Sequence, residues 1–158
     1  MASTYVDVRK TRTSESFNVK SSLLGLDMET QVDNLNKLYD GKLKFKIGEN
    51  LYSRNKVIEL CYVNENIRIL ELPEVDNLEI GYVNRYYNFK HSGNTVGTLK
   101  IPKTMKELRW SDISQFHNLT SLWVWDTTEL IGEKSTWNNV KMLMVQSTKG
   151  GKTQVYRF

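Results

Sequence analysis

The sequence predicts a mainly β protein, an irregular solenoid of short stacked strands that follows an α+β N-terminal cap with one short helix. Three observations predict this fold class. A leucine-centred pattern recurs between Val57 and Val145, and a weaker copy follows several of its occurrences. One segment near the N-terminus has helical periodicity.

The recurring pattern is an apolar residue, two others, an apolar residue that is usually Leu, one other, and a final apolar residue. Its last four occurrences begin 29, 23 and 21 residues apart, which are spacings typical of repeat units. Because alternate side chains of a strand point to opposite faces, stacked units would bury their leucines in one column. The occurrences are Val57–Tyr62, Ile67–Leu72, Val96–Ile101, Leu119–Val124 and Val140–Val145.

A weaker copy of the pattern follows three of these segments, at Val75–Ile80, Met105–Trp110 and Thr127–Gly132. Each unit therefore has two candidate strands. Pro73 and Pro102 separate them in two of the units, and proline is tolerated where a strand ends.

Two stretches of the repeat region resemble the BspA type of leucine-rich repeat. They are Thr98–Leu108, in which a strand ends in Ile-Pro before a second short strand, and Phe116–Val124, which begins with Phe and continues as Leu-x-x-Leu. Ile131-Gly132 is similar to the Ile-Gly of that family. The resemblance covers about residues 66–146. It implies a curved, irregular leucine-rich-repeat-like solenoid used for protein binding, with no catalytic residues to transfer.

The first 50 residues do not fit the repeat, and we interpret them as the cap that covers the first apolar layer. Tyr5–Val8 and Phe17–Val19 are predicted as short strands. Asp27–Asp40 has helical periodicity, with Asp27 as N-cap and Gly41 as the C-terminal stop.

The strand pattern resumes after this helix. Leu43, Phe45 and Ile47 alternate with lysines, which predicts a strand with one apolar face. The predicted organisation is therefore a cap at 1–50, a repeat array at 51–146 and a C-terminal edge strand or tail at 147–158, within one structural domain.

Composition is that of a globular protein, with 39% apolar and 25% charged residues. No apolar run approaches the roughly 20 residues that span a bilayer, and residues 1–20 do not resemble a secretory signal. The lone cysteine, Cys61, fits a reducing compartment and a packed structural role. We therefore expect a cytoplasmic protein without a membrane segment.

No candidate catalytic, cofactor or metal site emerges from the sequence. Lys149–Thr153 ends like a phosphate-binding loop, but Gln146 occupies the position of the first glycine, and no helix is predicted to follow. His91 and His117 have no Cys or carboxylate at ligand spacing. We therefore expect a protein that is not an enzyme.

The candidate binding residues lie between the core leucines. If Leu122 and Val124 point inward, Trp123 and Trp125 point outward. The same register places further residues beside them, and Trp and Met are frequent anchors of protein interfaces. Two interpretations remain open, a partner-binding patch or a patch covered by another part of the chain or buried by a register shifted by one residue. The candidate partner-binding residues are Trp123, Trp125, Met142, Met144 and Lys100.

A second hypothesis uses the basic ends of the chain. The net charge is +4, and the middle of the chain is acidic while both ends are basic. Basic side chains on one strand face could contact phosphates, or they could simply discourage edge pairing. The alternative nucleic-acid-binding residues are Lys42, Lys44, Lys46, Arg54 and Lys56.

The leading functional prediction is a non-enzymatic protein–protein interaction module. An adaptor or inhibitor of the kind that phages, viruses and symbionts encode would fit such a compact chain. A nucleic-acid-associated protein is the alternative. The sequence predicts no oligomeric state.

Overall fold

The computed structural model describes residues 15–16, 19–25, 27–84, 95–134 and 138–158. It confirms a mainly β fold with a short N-terminal helix and a β-solenoid. The strands are β1 Glu15–Ser16, β2 Leu43–Glu49, β3 Lys56–Val63, β4 Ile69–Glu71, β5 Leu78–Ile80, β6 Thr98–Lys100, β7 Glu107–Arg109, β8 Ser121–Trp125, β9 Glu129–Ile131, β10 Met142–Gln146 and β11 Gln154–Arg157. The helices are a 3-10 turn at Ser21–Leu23, α1 Met28–Leu38 and α2 Trp110–Ile113.

The first strands of the repeats form a six-stranded sheet in the order β1-β4-β6-β8-β10-β11. From β4 to β10 the strands are parallel and in direct register, with the central leucines paired from strand to strand. The leucine column predicted from the repeat is therefore present, and all its members are buried: Leu70, Leu99, Leu122 and Leu143.

The second strands of the repeats form another layer, which is divided into two sheets. One sheet has the order β2-β3-β5, and the other pairs β7 with β9 in parallel. The pattern at Val57–Tyr62 lies in β3, which pairs with β5 and therefore belongs to this second layer rather than to the leucine column. The hydrophobic core lies between the two layers.

The helix predicted at Asp27–Asp40 is present as α1. The Thr30 N–H donates to the Asp27 side chain at 2.7 Å, which satisfies one of the free amides at the start of α1. Leu35 and Tyr39 are fully buried at its C-terminal end, and Gly41 follows with a positive φ of 77°. The helix thus contributes Val32, Leu35 and Tyr39 to the hydrophobic core and packs beside β2.

Asn36 fixes α1 to the strand that follows. Its side chain accepts from the Phe45 N–H at 2.8 Å and donates to the Phe45 carbonyl at 3.0 Å. β2 is the predicted strand, with Leu43 and Phe45 buried and Ile47 partly buried against the core. Cys61, in the neighbouring strand β3, is buried, and its thiol donates to the Lys44 carbonyl at 3.4 Å, as expected for a packed cysteine.

The predicted strands before the helix lie mostly outside the described residues. Tyr5–Val8 and residues 17–18 lie outside the described residues, and Val19 is not in a strand. The strand found in this region is β1, which pairs in parallel with β4 at the edge of the six-stranded sheet.

At the other edge, β11 pairs antiparallel with β10 after the polar turn at 147–153, which fits the predicted closing strand. No helix among the described residues is long and apolar enough to cross a membrane.

Candidate partner-binding surface

The six-stranded sheet has a second face, opposite the leucine column, which we call the outer face. Directly paired residues of neighbouring strands share a face. One row of the outer face therefore runs across five strands as Glu71, Lys100, Trp123, Met144 and Val155. The adjacent row consists of Ile69, Thr98, Ser121, Met142 and Arg157.

Burial along β8 shows which way the tryptophans point. Leu122 and Val124 are buried, whereas Trp123 and Trp125 are half-buried. The register is therefore the one that the repeat pattern predicts, and neither indole is fully enclosed in the core.

Trp123 is held by contacts on the outer face itself. Its indole Nε1 donates to the Ser121 hydroxyl at 3.1 Å, and the Lys100 ammonium lies 4.7 Å from the ring centroid. A cation this close to an indole face is attracted by the negative charge of the π system. The lysine and the tryptophan therefore form one unit, with a polar tip beside an apolar ring.

Trp125 has a more structural role than Trp123. Its indole Nε1 donates to the Ile101 carbonyl at 2.9 Å, and the side chain packs against the hydrophobic core. Ile101 follows β6, so this bond ties the end of β8 to the neighbouring strand. The two tryptophans therefore differ, because the Trp125 N–H bonds to the backbone beside β6 whereas the Trp123 N–H bonds to a side chain of the outer face.

Met142 and Met144 are half-buried, and β11 extends the surface beyond them. Met144 lies opposite Trp123 on one side and Val155 on the other. The Arg157 guanidinium approaches the Met142 sulfur at 3.0 Å. Val155 and Arg157 were not among the predicted residues of this face, although the alternation of Gln154–Arg157 could have indicated that two of its side chains join it.

The alternative basic residues differ in exposure and in their neighbours. Lys44 and Lys56 are exposed and Lys42 and Lys46 are half-buried. Lys46 lies opposite Glu59 in the β2–β3 ladder. Two further charges are paired, since the Arg54 guanidinium lies 2.9 Å from the Glu49 carboxylate.

Lys46 instead lines a cleft of about 430 Å³ between the two sheets of the second layer. Other side chains that line it are those of Glu59, Glu79, Tyr52, Tyr82 and Arg109. The Arg109 guanidinium stacks 3.9 Å from the Tyr52 ring centroid. The cleft therefore mixes both charge signs with aromatic side chains.

Two features of this cleft were not evident from the sequence. A Cβ atom at Gly48 or Gly81 would collide with the Glu59 carboxylate, so both glycines make room for that side chain. Burial, with repulsion from Glu79, raises the pKa of Asp112 from its ordinary value of 3.8 to about 6, although Arg109 lowers it in part.

Gln115 bridges the division between the two sheets. Its side chain donates to the Gly81 carbonyl at 2.8 Å and accepts from the Val83 N–H at 2.9 Å. The short helix α2, which ends just before Gln115, is thereby attached to the chain that leaves β5.

In the part of the chain that the structure describes, no group of three or more His, Cys, Asp or Glu side chains is arranged to hold a metal ion. No protein-family model, no curated protein and no solved structure matches this chain. The resemblance to BspA-type repeats therefore stays a prediction.

Proposed function

We propose that this chain is a non-enzymatic protein-binding module, an adaptor or inhibitor, and that it binds its partner through the outer face. The observation that carries the proposal is the row formed by Lys100, Trp123 and Met144, which the register places side by side on three neighbouring strands.

The chemistry of this row supports protein binding. Trp and Met are both enriched in interfaces, Trp as a large rigid anchor and Met as a flexible apolar side chain that adapts to its partner. Trp123 is half-buried and already fixed by Lys100 and Ser121, so little further ordering is needed on binding. Arg157 lies at the β11 end of this face and Glu71 at the β4 end, so the complementary partner surface places apolar side chains over the row and a carboxylate opposite Arg157.

The nucleic-acid alternative receives less support from the described residues. Phosphate binding requires unpaired cations along a continuous surface. Here Lys46 faces Glu59 across the ladder, and Arg54 pairs with Glu49. We therefore retain the protein partner as the proposed function.

The test is a comparison of two variants of the purified chain in a pull-down, with partners identified by mass spectrometry and then rebound as purified proteins. The double variant Trp123→Ala, Met144→Ala removes the centre of the row. Leu51→Ala is the matched control, since Leu51 is 76% exposed in the turn between β2 and β3, away from the outer face.

We expect one discrete protein to bind the wild type and the Leu51 variant and to be lost from the double variant, with all three chains folded by circular dichroism. Binding through apolar anchors should survive washing at high salt. Equal retention by the double variant, or release of nucleic acid alone by salt, would contradict the proposal.

A further inference from the structure

The free edge of β11 is a second feature of the sheet that can engage a partner. β11 is the last strand of the six-stranded sheet, and its four residues are exposed. Among the described residues, no strand pairs with its other side. A strand edge of this kind is a template for pairing with another extended chain.

The ladder shows which backbone groups are available there. The Phe158 N–H donates to the Lys141 carbonyl at 2.9 Å. In an antiparallel ladder, the backbone groups of every second residue point to the paired strand. Residues 154, 156 and 158 therefore bond to β10. The N–H and C=O groups of Val155 and Arg157 therefore point to the free edge.

Charge identifies the occupant. Residues 134–158 contain five Lys or Arg residues and no Asp or Glu. A second copy pairing through β11 would bring two such basic segments together, and their repulsion opposes that arrangement. An acidic extended segment is attracted instead.

We infer that β11 accepts an extended acidic segment of a protein partner as a seventh strand of the sheet. This inference rests on the proposed function, which it deepens by assigning the chemistry of the partner. Backbone hydrogen bonds to Val155 and Arg157 hold the segment, as in other cases of strand addition.

The side chains of β11 define the pattern of the segment. Arg157 and Val155 lie on the outer face, while Tyr156, which is 50% exposed, lies on the opposite face. An incoming strand with carboxylates on the outer face and apolar side chains on the other would oppose Arg157 with a negative charge and cover Tyr156. The segment therefore alternates acidic and β-branched residues.

The probe is a fluorescent, terminally blocked hexapeptide of alternating Glu and Val, titrated with the full-length protein and followed by fluorescence anisotropy. The matched comparison peptide alternates Lys and Val. We expect the acidic peptide to bind at least about tenfold more tightly, because Glu attracts the Arg157 guanidinium whereas Lys repels it.

The key variant is Val155→Pro. It removes the backbone N–H that points to the free edge of β11 and leaves the bonds to β10 unchanged. Proline is tolerated on such an edge. Val155→Thr keeps the donor and is the control. We expect binding to fall about tenfold in the proline variant and to persist in the threonine variant. A melting temperature close to that of the wild type verifies that β11 is still in place.

Arg157→Glu adds a test that does not depend on proline, since it should shift the preference toward the Lys–Val peptide. No binding of either peptide, equal binding by a folded Val155→Pro chain, or capture of a single-stranded oligonucleotide instead of the acidic peptide would overturn the inference.

The two proposals fail separately. If the double variant of Trp123 and Met144 loses its protein partner while Val155→Pro retains it, the outer face is used without strand addition. If the reverse holds, β11 is the site and the tryptophan row is not.

Discussion

The two layers of the solenoid are built from the same repeats but differ in continuity. The first layer is one sheet in which the central leucines pair from β4 to β10. The second layer is interrupted, because β5 pairs with β3 while β7 pairs with β9. Continuous strand pairing yields an even surface, the outer face, whereas the interruption leaves a cleft lined with charged side chains. The layers therefore offer different sites for substitution, a regular leucine column in the first and a divided set of strands in the second.

The largest expected effect is therefore a core truncation in the first layer. Leu122 is fully buried at the centre of β8, whereas Leu130 in β9 of the second layer is partly buried. We expect Leu122→Ala to lower the free energy of unfolding by about 3–4 kcal/mol and Leu130→Ala by about 1 kcal/mol. Urea unfolding followed by tryptophan fluorescence measures both. Equal losses would show that Leu130 is as tightly packed as Leu122.

Within the second layer, Asn84 replaces strand pairing by side-chain hydrogen bonds. Its amide accepts from the Val63 N–H at 2.9 Å and donates to the Val63 carbonyl at 3.2 Å. Its φ of 64° favours Asn or Gly. We expect Asn84→Gly to lower the free energy of unfolding by about 2 kcal/mol, because two buried backbone groups lose their partners.

Asn84→Ala separates the two contributions at this position. It loses the same hydrogen bonds and adds the backbone cost of a positive φ, so it should be less stable than the glycine variant by about 1 kcal/mol. If the alanine variant is the more stable one, the conformation at Asn84 is not the one described.

The leucine spacing predicted the first layer well because one residue type marks each turn of the solenoid and period-two alternation sets the face. The division of the second layer was not predictable in the same way. Val57–Tyr62 carries the same pattern as the leucine column yet pairs with β5, since apolar periodicity fixes the face of a strand and not its neighbour. Hydrogen bonds made by Asn84 and Gln115 depend on contacts between residues distant in sequence.

The residues of the outer face were predicted only in part, because alternation fixes the face of a strand and not its contacts with distant residues. The alternation of Leu122 with Trp123 sufficed to place the tryptophans on the outer face. The unequal roles of Trp123 and Trp125 could not be read from it, because they depend on the bond from Trp125 to the Ile101 carbonyl. The contribution of β11 depends on the turn that brings it back along β10.

Trp123 and Trp125 allow a second comparison within the first layer, between a surface side chain and one that packs on the core. We expect Trp125→Ala to lower the free energy of unfolding by about 2 kcal/mol, since it loses core packing and a hydrogen bond. Trp123→Ala should cost about 1 kcal/mol or less, because its contacts are limited to the outer face. Denaturant unfolding at neutral pH measures both. A greater loss at Trp123 would mean that it supports the fold more than the surface.

The smallest expected effect lies in the cleft of the second layer, at Asp112. Its pKa is raised to about 6 in the folded protein, so the folded state holds a proton there that the unfolded state has already released. The stability of the wild type therefore falls as pH rises from about 4 to about 6 and stays lower above that range. Asp112→Asn removes this titration, so the variant should match the wild type near pH 4 and exceed it at pH 7.

Because the Asp112 carboxyl is only partly buried, solvent screening keeps the expected gain at pH 7 below about 1 kcal/mol. Thermal unfolding at both pH values measures it, and NMR titration of the carboxyl checks the pKa directly. Glu79→Gln provides a second test, since loss of the neighbouring negative charge should lower the pKa of Asp112. If Asp112→Asn destabilises the protein equally at both pH values, the Asp112 carboxylate stabilises the fold through its attraction to Arg109. The negative charges of the cleft would then not weaken the second layer.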